Sequence, residues 1–528
     1  MDLKARYAAQ RLCRIIPVVL SLIVLTCCAP KAAVKVTPPT AAPELEDKAA
    51  EAEALFKKGC YVGFKKAIEI YQELSARPAV KNKILIPYLK TLILMSVRQK
   101  ELGLLDNKYV QRARDIVKAN PSLRAFAPDV ELADTMAPKT KGIMRDINVV
   151  GTVKVVADVL KNVQLKDDMK LKAQAEDYYA YLYVTFFTSY ANYLDQREEL
   201  SGFTKLFPDS ILFKYKNATA DLREDPKLLE ALAGADPEFY EAYYHLGELA
   251  LKAQNLVEAE KIFLKAFEGI PESPQVTIYL GSIYMATEEF EKGIEYYEKT
   301  ISLAPSYRDA LLGKSICLSY MGKYQEAIEV LNKLVAMGFY LMGESHYWLA
   351  WIYHELEDNE NAQLNIEESK GRLPTNNEVF SLAGTIAFEK NEFDKAEKEF
   401  LESCKYGGNT EALFGLGKVY AQKQKWLDSA LFFSQATVAV GQSQSIVAEK
   451  LRQIKNSSLS EERKARMIAK KEQQLKVLEA TKATGYYDAA AGYFNAGRRT
   501  EALEMAEKAA AHPQFKDLAA ELIKKIKQ

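Results

Sequence analysis

Histidine and cysteine are scarce in this sequence. Its 528 residues include four histidines and six cysteines, and none of them forms an HExxH or CxxC pattern. The nucleotide-binding pattern GxGxxG and the hydrolase pattern GxSxG are also missing. His346 and His354 could share a helix face, but two imidazoles without a third nearby ligand are weak support for a metal site. We therefore predict a protein that is not an enzyme and that holds no metal and no cofactor.

Net charge is missing as well. Lysine and arginine total 71, aspartate and glutamate total 71, and the formal charge is +0 at pH 7. The first residues of the chain are basic, so the remainder is slightly acidic. Because a phosphate backbone attracts proteins with a basic excess, we predict no nucleic-acid partner.

Only one apolar run resembles a targeting segment. A basic stretch, Lys4 to Arg14, precedes the apolar residues Ile15 to Leu25, which are too few to span a bilayer stably. The following Thr26-Cys27-Cys28 is similar to the end of a bacterial lipoprotein signal, which implies that Cys28 is lipidated and becomes the N-terminus. Cys27 is the alternative lipidation site, and an ordinary secretory signal is the alternative segment type.

A proline-containing segment follows this signal. Residues 28–48 include Pro30, Pro38, Pro39 and Pro43, and such a composition is typical of an extended tether. Together, signal and tether predict a location in the bacterial cell envelope, with the chain held by acyl chains at the periplasmic face of the outer membrane.

A period of about 34 residues runs through the second half of the chain. Small residues recur with spacings of 34, 34, 35, 34 and 33 at positions Ala259, Gly293, Ala327, Ala362, Ala396 and Ser429. A Leu-Gly pair precedes several of them, at Leu246-Gly247, Leu280-Gly281 and Leu416-Gly417. Proline follows the first two units, at Pro271 and Pro305. Such regularity is typical of stacked helix pairs.

This unit resembles the tetratricopeptide repeat, which spaces Leu-Gly, Tyr, Ala, an aromatic residue, Ala and Pro over 34 residues. The resemblance implies an all-α fold, a right-handed superhelix of antiparallel helix pairs. We divide the chain into a signal peptide (1–27), a tether (28–48), an N-terminal repeat-like unit (49–79), a degenerate helical region (80–239), six repeat-like units (240–440), a helical insertion (441–482) and a last unit with a capping helix (483–528).

The degenerate region contains less regular patterns. Lys83 to Glu101 predicts a helix that starts near Pro87, whereas Ser122 to Lys141 predicts a loop. The aromatic run Tyr178 to Tyr193 predicts a buried helix, with a binding or self-association surface as the alternative. Cys317 and Cys404, which have no close cysteine partner, are predicted to be small core residues.

The insertion contains a basic helix pattern. Ser458 and Glu461 predict a capping box at its start. Basic residues such as Arg463 and Lys471 alternate with apolar, acidic and glutamine residues. This pattern favours a solvated, elongated repeat helix over a helix that binds a membrane surface or a partner.

The resemblance also implies a binding surface. In tetratricopeptide repeats the first helix of each pair lines the concave face, and we transfer its inward positions by phase. The predicted partner-binding residues are Tyr244, Glu248, Lys252, Ile278, Ser282, Leu312, Ile316, Tyr320, Tyr347, Trp351, His354, Glu355, Phe388, Phe414 and Lys418. Some of them could instead pack against a neighbouring unit. The lysine and asparagine pattern that clamps a terminal carboxylate in some members is missing.

These observations predict a lipid-anchored envelope scaffold that binds a protein or peptide in an assembly, secretion or transport complex. The alternative is a periplasmic accessory of a solute transporter that binds a small hydrophobic ligand.

Overall fold

The computed structural model describes residues 43–104, 106–135, 210–219, 226–338, 341–407, 409–457 and 459–528. Within these ranges the backbone forms α-helices, two short 3-10 helices and no strand. The expected all-α fold is confirmed. None of the described helices combines the length and the apolar character needed to cross a lipid bilayer. The signal peptide, Cys28, the tether up to residue 42 and the aromatic run 178–193 lie outside the described residues.

The chain divides into two compact units, and the first comprises residues 1–246 and 265–275. Its first two helices, joined at a left-handed Gly59, form a helix pair over the predicted N-terminal unit. The opening helix begins at Pro43, inside the predicted tether. The helices are α1 (Pro43–Lys58), α2 (Tyr61–Ser75), α3 (Pro78–Glu101), α4 (Lys108–Ala119), α5 (Ala127–Thr135), α6 (Ile211–Thr219) and α7 (Pro226–Ala235).

Two predictions in this unit need correction. Helix α3 begins at Pro78 rather than near Pro87, and Pro87 lies inside it. Proline is tolerated there in spite of its missing N–H because the apolar residues that follow it are buried. The predicted loop 122–141 is partly wrong, because a 3-10 helix covers Pro121–Phe126 and α5 follows directly.

The second unit comprises residues 247–264 and 276–528. Helices α8, α9 and α10 contribute residues to both units. From α8 to α21, even-numbered helices are the first and odd-numbered helices the second of each pair. They are α8 (Tyr240–Lys252), α9 (Leu256–Gly269), α10 (Pro274–Ala286), α11 (Phe290–Leu303), α12 (Arg308–Tyr320), α13 (Tyr324–Ala336), α14 (Met342–Glu355), α15 (Asn359–Arg372), α16 (Asn377–Glu389), α17 (Phe393–Lys405), α18 (Thr410–Gln422), α19 (Trp426–Lys455), α20 (Glu461–Asn495), α21 (Arg499–Ala510) and the terminal α22 (Lys516–Lys527).

The turn inside each of these pairs has the same backbone geometry. One residue has a positive φ, and the next N–H bonds to a carbonyl five residues back, as Glu289 does to Tyr284 at 2.8 Å. The left-handed residues are Gln254, Glu288, Gly322, Glu357, Asn391, Gln424 and Gly497. Their first six members repeat with the spacing of the small residues in the sequence, so the predicted period corresponds to one helix pair.

The two helices of a pair cross at a small residue. A Cβ added to Gly281 would lie 2.8 Å from the Tyr297 ring, and one added to Gly313 of the next pair would lie 2.3 Å from it. Phe400 is enclosed in the same way by Gly384 and Gly415, at 2.6 and 2.3 Å. A ring therefore fills each of these crossings because glycines on both sides leave room for it.

The two middle pairs differ. Where the pairs α8/α9, α10/α11, α16/α17 and α18/α19 have a glycine and a ring, they have Ser315 with Leu331 and Ala350 with Ile366. Leu331 and Ile366 are buried in apolar clusters that also contain Trp348 and Leu382, respectively. Leu331 and Ile366 are smaller than the rings at the other crossings. Trp348 and Leu382, which lie where those crossings have their second glycine, are correspondingly larger.

Helices α19 and α20 form a long antiparallel hairpin. The predicted insertion 441–482 is the continuation of α19 and the start of α20, rather than a separate element. The capping residue of α20 is Ser460, whose side chain accepts from the N–H of Arg463; the predicted Ser458 lies outside the described residues. Helix α22 covers the last pair with Leu522 and Ile526.

Candidate partner-binding surface

The predicted inward residues lie on the first helices α8 to α18, as the phase predicts, but their exposure differs. Tyr244 belongs to the first unit and the others to the second. Tyr244 and Glu248 are buried, so they offer little surface to a partner. The exposed members are Lys252, Tyr320, Glu355 and Lys418. The partly buried members are Ile278, Ser282, Leu312, Ile316, Tyr347, Trp351, His354, Phe388 and Phe414.

Several of these residues stabilise the array itself. Glu248 is only 5% exposed and accepts a hydrogen bond of 2.8 Å from the Tyr279 hydroxyl. Phe414 packs against the C-terminal apolar cluster, and its ring centroid is 6.0 Å from that of Phe433. The phase of the repeat predicts which face of the helix a residue lies on. Contacts with neighbouring helices determine whether that residue is buried.

A continuous group of rings lies on helices α11, α12 and α14. We call Phe290, Tyr320, Tyr347, Trp348 and Trp351 the aromatic strip. Neighbouring ring centroids are 5.3 Å apart from Phe290 to Tyr320, 5.5 Å from Tyr320 to Trp348 and 5.6 Å from Trp348 to Tyr347. Trp351 is 5.7 Å from Trp348. Tyr320 is 56% exposed, so the strip reaches solvent.

Carboxylates influence the titration of this strip. The pKa of Tyr320 is raised, first because burial by its neighbours disfavours the phenolate and then because Glu378, Glu288 and Glu411 add negative potential. The pKa of Tyr347 is raised by burial, and Glu378 and Glu411 again contribute. Both of these glutamates are exposed. The strip therefore combines aromatic faces with acidic groups.

The two histidines of this region have separate partners. His346 Nδ1 lies 2.8 Å from Asn365 Oδ1, and His354 Nε2 lies 3.1 Å from a carboxylate oxygen of Glu389. Within the described ranges no three His, Cys, Asp or Glu side chains converge as metal ligands would. Cys317 is fully buried and Cys404 partly buried, and both are free thiols.

The tip of the long hairpin binds back to the start of the second unit. Arg463 donates to Glu260 at 2.8 Å and also to Glu289, and only 13% of its side chain is exposed. The Glu260 carboxylate is shared, because the Tyr284 hydroxyl donates to it at 2.7 Å. We call these contacts, together with those of Lys470 and Lys471, the hairpin latch.

The two lysines complete the latch at Glu288. Lys471 Nζ lies 2.8 Å and Lys470 Nζ 2.9 Å from the Glu288 carboxylate. Burial alone would raise the pKa of Glu288. Hydrogen bonds from Lys471 and Lys470 outweigh this effect, so the pKa of Glu288 is lowered overall. Sequence reasoning missed the latch, although Arg463, Lys470 and Lys471 are spaced to share one helix face.

The repeated helix pairs and the inner surface define an α-helical repeat protein. The tetratricopeptide-repeat family matches residues 227–275 and 318–364 with one profile and residues 280–307 with another. These matches and the turn geometry together show tetratricopeptide repeats in this part of the chain. Folds of this class typically serve as scaffolds that bind other proteins.

Curated relatives share only part of the chain. Protein O-mannosyl-transferase TMTC1 of Homo sapiens is 23% identical over 200 residues, which are 37% of this chain and 22% of that protein. An uncharacterised protein of Methanocaldococcus jannaschii is 41% identical over 49 residues, which are 9% of this chain and 57% of that protein. The matches thus span less than two thirds of either relative.

A solved structure is similar as well. The crystal structure of a tetratricopeptide repeat protein from Parabacteroides merdae has a TM-score of 0.36 and 14% sequence identity. The match covers 52% of this chain and 98% of that one.

Proposed function

We propose that this protein is a scaffold that binds a segment of a partner protein along the inner surface of its second unit. The aromatic strip carries this proposal. Large aromatic side chains dominate the binding energy of protein interfaces, because each buries much apolar area with few rotatable bonds. The strip is grouped on adjacent helices and reaches solvent at Tyr320.

The scaffold acts without catalysis in this proposal. The described first helices of the pairs carry rings and scattered carboxylates, rather than a nucleophile beside a base. The transferase activity in the name of the human relative belongs to that protein, and the match covers about a fifth of it.

We further propose that the chain is anchored in the bacterial envelope through lipidated Cys28, in the periplasm at the outer membrane. The basic and apolar N-terminal pattern and the prolines after it support this location. Mass spectrometry of the N-terminal peptide tests it. Acyl chains on Cys28 are expected, and an unmodified Cys28 in a soluble fraction would contradict the anchor.

The alternative is a small hydrophobic ligand in a channel that the aromatic run 178–193 could line, and this run lies outside the described residues. Nothing among the described residues favours it over a protein partner.

Site-specific photo-crosslinking tests the proposed surface. A photoreactive residue at Ile316, on α12 beside the strip, is compared with one at Leu364, which is 64% exposed on the second helix α15. We expect a defined protein adduct from envelope extracts at position 316, and its loss when Tyr320 and Trp351 are changed to alanine. Equal labelling at both positions, or an adduct that survives these changes, would contradict binding at the strip.

A further inference from the structure

We propose that the aromatic strip and the carboxylates of Glu378 and Glu411 select a partner segment that carries arginine or lysine side chains. This inference rests on the proposed function and adds the chemistry of the partner. A cation over a ring is attracted by the π electrons, and a nearby carboxylate adds a charge-assisted hydrogen bond.

The first support is that these carboxylates are available. Glu378 and Glu411 are exposed and form no ion pair within the described ranges. They are the second residues of the first helices α16 and α18, which follow α14 of the strip in the stack, and their charges contribute to the raised pKa of Tyr320 and of Tyr347. Two unpaired carboxylates at this end of the strip create a negative potential that a cation would relieve.

The second support is that the first helices α12, α14 and α16 provide no free lysine or arginine for this role. Helix α12 has two basic side chains, and helices α14 and α16 have no lysine or arginine. Arg308 donates to the Met337 carbonyl at 2.6 Å, and Lys314 pairs with Glu298 at 2.7 Å. A complementary charge for Glu378 therefore has to come from outside these helices, whereas Glu411 shares helix α18 with the exposed Lys418.

The third support is that the protein already fills one end of this surface with a cation of its own. Lys470 of the hairpin latch lies 5.3 Å from the centroid of the Phe290 ring, while its ammonium group binds Glu288. Phe290 is in turn stacked on Tyr320. The latch thus shows, within this chain, the combination of ring and carboxylate that the rest of the strip offers to a partner.

Two labelled peptides test the selectivity on the full chain. One alternates arginine with alanine and the other alternates glutamate with alanine, at equal length. Fluorescence anisotropy is expected to show binding of the arginine peptide only, with affinity falling as NaCl rises from about 0.05 to 0.5 M because salt screens exposed charges. Equal affinity for both peptides, or preference for the glutamate peptide, would overturn the proposal.

Charge-matched variants locate the effect. The double variant Glu378→Gln, Glu411→Gln removes two charges beside the strip, and Glu326→Gln, Glu329→Gln removes two exposed charges from the second helix α13. We expect the first to weaken arginine-peptide binding by roughly threefold to tenfold and the second by less than about twofold. Equal effects of the two would overturn the proposed position.

Tryptophan quenching gives a measurement that needs no peptide. Two of the three tryptophans, Trp348 and Trp351, lie in the strip. Caesium should quench their emission more efficiently than iodide, and the Glu378→Gln, Glu411→Gln variant should narrow this difference. An unchanged difference in that variant would show that these carboxylates do not set the local potential, against the proposal.

These experiments distinguish a failure of the proposed scaffold function from a failure of the proposed charge selectivity. If crosslinking at position 316 captures a partner whose binding ignores salt and both carboxylates, the scaffold function stands and the charge selectivity fails. If no partner is captured while the arginine peptide binds selectively, the partner-binding function fails and the surface chemistry stands.

Discussion

The two middle helix pairs and the pairs on either side of them fill the space at the helix crossing with different side chains. Tyr297 and Phe400 are rings held between two glycines, whereas Leu331 and Ile366 are aliphatic side chains beside larger neighbours. In the middle repeats, aromatic residues lie on the inner surface instead, where Tyr320 is exposed. In these repeats aliphatic side chains fill the helix crossing, so the aromatic residues are available on the surface for binding.

The largest expected effect comes from removing a ring in each environment. Tyr297→Ala empties a fully buried site and should lower the free energy of unfolding by about 3–5 kcal/mol. Tyr320→Ala should change it by less than about 1 kcal/mol, because Tyr320 is exposed, yet it should weaken partner binding by about 1 kcal/mol or more. Chemical denaturation and partner binding measure the two effects.

Trp351→Ala and Tyr347→Ala extend this test along the strip. A binding loss with retained stability is expected for each if the strip is an interface. Similar destabilisation by Tyr320→Ala and Tyr297→Ala would show that the two environments are not distinct.

The second test adds a single methyl group at a crossing. In Gly384→Ala the new Cβ would lie 2.6 Å from the Phe400 ring, and overpacking should cost about 1–3 kcal/mol. Gly371→Ala is the control, because nothing lies within 4 Å of its added Cβ and alanine favours the helix. Thermal unfolding should show a lower Tm only for the first variant.

A combined exchange sharpens this result. The triple variant Gly384→Ala, Phe400→Ile, Gly415→Leu copies the arrangement of Ala350, Ile366 and Leu382. We expect it to regain part of the stability lost in Gly384→Ala, since a smaller core side chain is then matched by a larger neighbour. A triple variant that is less stable than Gly384→Ala would refute the equivalence of the two crossings.

In the last helix pair a charged residue takes the position beside the crossing. Asp488 occupies the phase of Gly313, Trp348 and Leu382, and burial raises its pKa to about 6, opposed by Lys418. A carboxyl with a raised folded-state pKa stabilises the fold below its unfolded pKa, and this contribution is lost as pH rises through about 6.

Asp488→Asn should therefore raise the free energy of unfolding at pH 8 by on the order of 1–2 kcal/mol, and by much less near pH 4. Denaturation at both pH values measures the difference. A stability gain that is the same at both pH values would argue against burial of a charged Asp488.

The smallest expected effect concerns the hairpin latch. Glu288→Gly keeps the left-handed turn, where glycine is favoured, and removes the carboxylate that binds Lys470 and Lys471. Glu357→Gly makes the same backbone change at a turn without a latch. Hydrogen exchange should be faster near residues 460–475 in the first variant only, with global stability changed by less than about 1 kcal/mol.

Acid should have the same effect as Glu288→Gly. The folded-state pKa of Glu288 is lowered, so its contribution is present above the unfolded pKa of 4.5 and is lost as pH falls through the folded pKa. Hydrogen exchange at the hairpin tip that is insensitive to both acid and Glu288→Gly would show that apolar contacts, rather than ion pairs, hold the tip.

Some of this surface could be predicted from the sequence and some could not. The phase placed Tyr320, Tyr347 and Trp351 on the first helices, because helix pairs repeat with a constant number of residues. It could not show that Glu248 is covered by Tyr279 or that Phe414 belongs to the C-terminal cluster. Those outcomes depend on contacts between helices, which a repeat period does not contain.

The sequence by itself determined the repeat: the length of each helix pair, the small residue at each crossing and the class of fold, since all of these depend on residues close together in the chain. Only the tertiary structure decided that Arg463, Lys470 and Lys471 bind carboxylates some 170 to 200 residues earlier. It also decided that rings from neighbouring pairs join into one strip. Contacts between distant residues arise when stacked pairs curve and long helices fold back, and no local pattern encodes that geometry.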